Sequence, residues 1–326
     1  MKIIYLFTIL ILSSILLSCE KDDGPNKDPG DEHFAGVTVA SYQVATEDML
    51  RSIPEEYITA ARNNLHVAYQ HTSHGTHVSY GLYGLQDYKA GDDVLFGIAE
   101  NQPGKLDFRD YALSSYAEEG VDAADLSRDE TAFIQTTRNY LDDPDNAEIN
   151  VIMWSWCSIS GHYVTENYLP GMQQLISEYA QGGSKIGTGE GQRANPVTFI
   201  FMTGHAEGNS NPGERQPKSQ ADTIIGYCNA HGYLCLDYFG IDTHDMDGTY
   251  WNDADDNGNS VLYGGNFYQD WQDENTEGNG YFFNKSGPGG QVTYGEHNTQ
   301  HITANRKAYA MWYLLARIAG WDGNSQ

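Results

Sequence analysis

The chain has 326 residues, of which 45 are acidic and 18 basic, for a formal charge of −27. A surface of that sign repels phosphate backbones and anionic headgroups, which excludes nucleic acid and anionic lipid surfaces as partners. Aromatic residues are abundant, led by 23 tyrosines; with the many Asn and Asp side chains they suit a neutral polyhydroxylated ligand such as a glycan, and equally a loop-rich secreted surface.

At the start, Met1-Lys2 precedes an apolar run from Ile3 to Leu12, and the segment closes on Ile15-Leu16-Leu17-Ser18-Cys19. One basic residue, a short apolar core and a small residue before the cut form the layout of a secretory signal, too short to be a comfortable membrane span. A cysteine after Leu16-Leu17-Ser18 resembles the lipobox of bacterial lipoproteins. That resemblance implies removal of residues 1–18 and a diacylglycerol on Cys19, which anchors the chain at a membrane through buried methylenes worth about 0.8 kcal/mol each. Residues 19–35 open with Glu20-Lys21-Asp22-Asp23 and offer almost nothing to bury, so a flexible acidic tether is expected there. The acidic opening resembles the export signal of Bacteroidetes-type lipoproteins, and so implies a place in the bacterial outer membrane, facing outward from the cell.

About 290 residues remain, enough for one large domain, and residues 36–326 contain no second linker. No repeat at a fixed period is present. Four nearly continuous apolar runs, Leu65–Gln70, Ile149–Trp154, Val197–Met202 and Tyr233–Tyr238, read as strands covered on both faces. Helical spacing fills the intervals over Thr131–Leu141, Tyr168–Ala180 and Gln220–Ala230. A last amphipathic helix is expected over about Thr303–Ala319, with Ala308, Met311, Trp312, Leu315 and Ile318 as its core stripe. Alternating strands and helices predict an α/β domain around a parallel sheet. Residues 242–295 break the pattern in a long irregular excursion rich in Gly, Asn, Asp and aromatics, of the kind that is usually functional. The thiols of Cys228 and Cys235 are within reach of pairing across a helix end and a strand start, leaving Cys157 as a buried inert thiol.

Two stretches carry candidate chemistry. After the first strand comes Gln70-His71-Thr72-Ser73-His74-Gly75-Thr76-His77, which puts Ser73 at a tight turn on the carboxyl edge of the sheet. Such a serine is either a helix cap or a nucleophile flanked by backbone N–H groups. Before the last helix comes Glu296-His297-Asn298-Thr299-Gln300-His301, a source of the imidazole that a serine needs to lose its proton.

On these two stretches the chain resembles the SGNH or GDSL hydrolase superfamily, with a serine after the first strand and an Asp-x-x-His motif before the last helix. The resemblance implies a flavodoxin-like, SGNH-type three-layer sandwich. It also implies an esterase with Ser73 as nucleophile and His301 as general base. Asn298 stands where the family has its aspartate, and Glu296 is a nearby acid able to supply the missing charge. Candidate oxyanion or substrate-binding residues are His74, Gly75, Ser158, His205 and Trp156. The blocks HTSHG, WSWC, MTGHAEG and NRKAYAMWYLLARIAGWDG look like those of a group of secreted bacterial proteins in or near that superfamily.

The expectation is therefore a lipid-anchored hydrolase of an acylated carbohydrate, requiring no cofactor. One alternative is a non-catalytic glycan-binding lipoprotein on the same fold. A second is a metal-dependent hydrolase or lyase in which His71, His74 and His205, with a carboxylate such as Glu207, hold a divalent ion. Finally, Asp253, Asp255 and Asn257 have the alternation of a calcium loop, with Gly258 at the sixth position and no acid at the twelfth, so they are candidate Ca2+ ligands or an ordinary polar turn.

Overall fold

The computed structural model describes residues 38–324; the expected signal segment, the lipidated Cys19 and the tether lie outside the described residues. Seven strands form one sheet: β1 Val39–Ala40, β2 His66–Gln70, β3 Ile98–Ala99, β4 Leu106–Asp110, β5 Val151–Trp154, β6 Thr198–Met202 and β7 Cys235–Leu236. Their order is β1-β7-β6-β5-β2-β4-β3, and every pairing is parallel. Within it, β4-β2-β5-β6-β7 run in the doubly wound order 2-1-3-4-5, whose direction of winding reverses between β2 and β5.

The pleat explains why the apolar runs are continuous. Val67, Tyr69, Val151, Met153, Ile200, Met202 and Leu236 belong to one core, packed with helices α1 (Glu47–Ser52), α2 (Glu55–Asn64), α3 (Thr76–Leu85), α4 (Asp92–Leu95) and α10 (Ile302–Ile318). Their neighbours Ala68, Ile152, Trp154, Phe199, Phe201 and Cys235 belong to the other, packed with α5 (Ala132–Asp142), α6 (Leu169–Tyr179) and α7 (Pro217–His231). Two helical layers around a parallel sheet result, and each fully buried aliphatic side chain contributes about 1.5–3 kcal/mol.

Three features depart from the sequence reading. Strand β4 escapes a hydrophobicity scan because Asp107 and Arg109 lie within it, buried through an ion pair at 3.3 Å. Helix α10 is not amphipathic in place: residues 302–317 are all buried, including Arg306 and Lys307, whereas Ile318, expected in its core stripe, is only partly so. Arg306 Nη1 lies in hydrogen-bond reach of the carbonyls of Ile241 and His244 and of the Tyr268 hydroxyl, while its Nε is buried without a partner. The excursion over 242–295 is also more ordered than its composition suggests, holding α9 (Phe267–Asp273) and a small apolar cluster of Ala254, Phe267 and Tyr268 that packs on Ile302 of α10. Strand β7 is short because Tyr238 already begins α8 (Tyr238–Thr243).

Cys228 and Cys235 are both free thiols, and Cys157 is partly exposed rather than buried. Among the described residues no helix is long and apolar enough to cross a membrane. Helices α3 and α10 approach closely where Gly81 faces Ala304, since a Cβ on Gly81 would lie 2.2 Å from the Ala304 carbonyl oxygen. That contact sets the spacing between the two helices whose amino ends border the candidate site.

Candidate functional site

Strand β2 ends at Gln70, and Ser73–Gly75 make a single tight turn before α3, at the point where the sheet's winding reverses. Ser73 has φ 46°, a left-handed conformation that costs a non-glycine residue about 1–3 kcal/mol and that surrounding structure must hold in place. The restraints are visible. The Gly75 N–H donates to Thr72 O at 2.9 Å, Thr72 Oγ1 donates to Asp125, and Thr76 Oγ1 donates to Ser73 O at 2.7 Å. Gly75 is required by space, because a Cβ there would lie 2.3 Å from His71 Cβ and 2.6 Å from Ser155 Oγ.

The segment before α10 is pinned to this turn by its backbone. Glu296 N–H donates to Thr76 Oγ1 at 3.0 Å, while His77 Nε2 donates to Glu296 O at 2.7 Å. His77 is fully buried, and its Nδ1 accepts from the Tyr238 hydroxyl at 2.6 Å. Gly295 lets the chain pass at φ 98°, with a Cβ position only 2.6 Å from the His77 ring. The outcome is that the next side chain, His297, brings its Nε2 into hydrogen-bond contact with Ser73 Oγ.

The imidazole at Ser73 is thus His297, which corrects the expectation of His301. His301 lies one turn of chain further on, 4 % exposed, among the rings of Tyr281, Phe283 and Tyr294. Its Nδ1 accepts from the Asn284 N–H at 3.2 Å, and burial pushes its pKa down to about 4. Asn298 does not orient a histidine either: its side chain donates to Asp256 O and Thr303 Oγ1 and accepts from the Gln300 N–H, which fixes the start of α10. Glu296 reaches the site through its main chain, as above, and its side chain is exposed.

Behind Ser73 the carboxyl ends of the strands deliver a stack of rings. His74 lies 4.5 Å from His297 on one side and 3.6 Å from His205 on the other, nearly parallel to both. Desolvation holds the pKa values of His74, His77 and His205 below that of a free imidazole, so the rings are neutral. Cys157, which follows β5, puts its Sγ 3.7 Å from His74 Nδ1. Burial pushes its thiol up. It is a protonated thiol rather than an activated thiolate.

The other candidates are dispersed. His71 is fully buried and its Nε2 donates to Asp110 at 2.7 Å, which separates it from the His74–His205 stack. Ser158 and Ser160 both donate to the Glu207 carboxylate at 2.6 Å. Trp156 is a core residue donating to Met202 O. The Gly75 amide is used within its own turn, where it donates to Thr72 O. In the candidate calcium loop the side-chain oxygens accept hydrogen bonds: Asp253 from Ser260, Val261 and Leu262, Asp255 from Asn257 and Asn259, and Asn257 from Thr299 of the segment before α10.

Sequence reasoning passed over several residues of the site. His297 was hidden by its neighbour His301, since two imidazoles four residues apart have equal claims on paper. Thr76, His77 and Asp256 carry no motif. Beneath the rings, Lys307 and Asp242 form a fully buried ion pair at 2.5 Å. Burial raises the Asp242 pKa to about 6 and lowers that of Lys307, and their contact opposes both shifts. At the surface, the ring of Tyr111 (45 % exposed) packs tilted against His71, and those of Tyr294 (44 %) and Phe283 (39 %) pack tilted against His301.

Comparison with protein-family models, with curated proteins and with solved structures finds no match for this chain.

Proposed function

We propose that this chain is a lipid-anchored serine hydrolase of the bacterial cell surface, an SGNH-like esterase acting on acylated carbohydrate, with Ser73 as nucleophile and His297 as general base. The observation that carries the reading is the contact between Ser73 Oγ and His297 Nε2 at the carboxyl edge of the sheet. Ligands of open parallel sheets bind at that edge, where the winding reverses.

In the reaction, Ser73 Oγ attacks the acyl carbon and its proton passes to His297 Nε2. Collapse of the tetrahedral species expels the sugar alkoxide, which takes that proton from His297. Water then attacks the acyl-serine, again giving its proton to His297, and the serine leaves with it. Exposed Tyr111, Tyr294 and Phe283 offer flat apolar faces of the kind that stack on sugar rings.

The test is covalent labelling. A fluorophosphonate incubated with the purified chain is expected to add its mass to Ser73, and Ser73→Ala is expected to abolish both labelling and release of acyl groups from acylated glycans. Absence of labelling under conditions that modify a known serine esterase sinks the reading. Glycan binding by an unlabelled chain would instead favour the binding module.

A further inference from the structure

Three side chains from distant stretches meet behind the Ser73–His297 pair: His74 after β2, His205 after β6, and Asp256 in the excursion. One ligand atom of each lies within 4.8 Å of the others. Asp256 is 8 % exposed, and its Oδ2 is buried without a hydrogen-bond partner. An unpaired carboxylate oxygen withdrawn from water is costly, and folded proteins supply it with a donor, a proton or a cation. The nearest ring nitrogen, His74 Nε2, is 3.5 Å away. That is long for a hydrogen bond and close to the ~3.4 Å between two ligands bound tetrahedrally at zinc distances.

We propose that His74, His205 and Asp256 hold a divalent transition-metal ion of the zinc class, leaving at least one coordination position for water or substrate. Two imidazoles and one carboxylate are a donor set that such ions favour over magnesium or calcium. His205 is prepared for the role: its Nδ1 donates to Ala206 O at 2.9 Å, which fixes the tautomer and leaves the Nε2 lone pair free. The competing carboxylate, Glu207, is occupied by two serine hydroxyls, and His71 is occupied by Asp110. The His74 and His205 rings are stacked with planes 7° apart, and each lone pair lies in its own ring plane. Sharing one ion therefore turns one ring out of the stack. The set uses neither Ser73 Oγ nor the His297 ring, so it stands or falls separately from the esterase reading.

The experiment is zinc uptake by the purified chain after chelator treatment, titrated against a chromophoric chelator. The chain is expected to take up about one equivalent and to melt at a higher temperature when loaded. Asp256→Asn and His205→Gln are each expected to weaken uptake by more than about 100-fold, since even residues behind the ligands are worth 10–100-fold. Asp256→Asn also removes the unpaired charge, so the metal-free variant should melt no lower than the parent while losing the zinc-induced rise. Ser73→Ala should bind zinc as the parent does. Absence of stoichiometric uptake, or equal uptake by the parent and by Asp256→Asn, overturns the assignment and leaves a protonated Asp256 as the account of its burial.

Discussion

Ser73 and His297 are separated by 224 positions of chain and meet through one hydrogen bond, Oγ to Nε2, the serine opening a single 3-10 turn and the histidine lying in a loop. Both have left-handed backbones, with φ of 46° and 62°. Two turns held in unfavourable conformations by many neighbours, and meeting side chain to side chain, are a common sign of a site in which geometry has been favoured over stability.

The first prediction separates the two imidazoles. His297→Ala should slow phosphonate labelling of Ser73 by at least about 100-fold, the lower end of what a general base supplies. His301→Ala should instead cost stability, about 1–3 kcal/mol for loss of a packed buried ring, and leave the labelling rate of the folded fraction near that of the parent. Labelling kinetics and urea unfolding on the same two variants check this, and the reverse pattern would return the catalytic role to His301.

Thr76 supplies the second prediction. Its hydroxyl donates to Ser73 O and accepts from Glu296 N–H, so one atom ties the turn of Ser73 to the segment bearing His297. Thr76→Val preserves the shape and deletes that bridge, removing two hydrogen bonds worth about 0.5–1.5 kcal/mol each. Labelling of Ser73 should slow in the folded variant, and Thr76→Ser should restore it. If Thr76→Val destabilises the chain without slowing labelling, Thr76 is structural only.

Much of the architecture was readable from sequence, for one reason: strands covered on both faces need apolar residues at every position, as in Val197–Met202, and that run is hard to mistake. The helices over 132–142, 169–179, 217–231 and 302–318 announced themselves by spacing. Strand β4 did not, because Asp107 and Arg109 are buried as partners and a pattern of hydrophobicity cannot see a pair. The place of Ser73 followed from its position after the first strand. The choice of His297 over His301 did not, because it depends on the Gly295 turn and on where Thr76 and His77 hold a main chain more than 200 residues away. Asp256 was passed over for the opposite reason. It sits among Asp253, Asp255 and Asn257, and only burial distinguishes it from acids that close their own turns.

The third prediction concerns the ion pair of Lys307 and Asp242. Burial opposes both charges, so the pair is held by its own contact and by the Ala206 N–H that donates to Asp242 at 3.1 Å. Lys307→Met strands a carboxylate and should destabilise the chain by about 3–5 kcal/mol. Adding Asp242→Leu removes the stranded charge, and the double variant should recover a substantial part of that loss. Urea midpoints for the two single variants and the double variant give the coupling; strictly additive losses would show that the pair is not a unit.

The last prediction is the pH dependence of stability, and its sign follows from His301. Its folded pKa is depressed by burial from 6.5 to about 4, so between those values the unfolded chain binds a proton that the folded chain does not. Stability from this group is complete above pH 6.5 and is lost as pH falls toward 4. His74, His77 and His205, also depressed by burial, act in the same direction. Asp242 acts against them. Its pKa is raised from 3.8 to about 6, so its contribution is complete below 3.8 and lost as pH rises through 6. The whole-chain curve is therefore a difference between histidines and buried acids, and a substitution isolates one member. In His301→Gln the proton-linked part disappears, so its stability deficit relative to the parent should shrink between about pH 7.5 and about pH 5. Urea unfolding of both chains at the two pH values measures this; a deficit that is constant or grows on acidification means that the His301 ring is not held neutral.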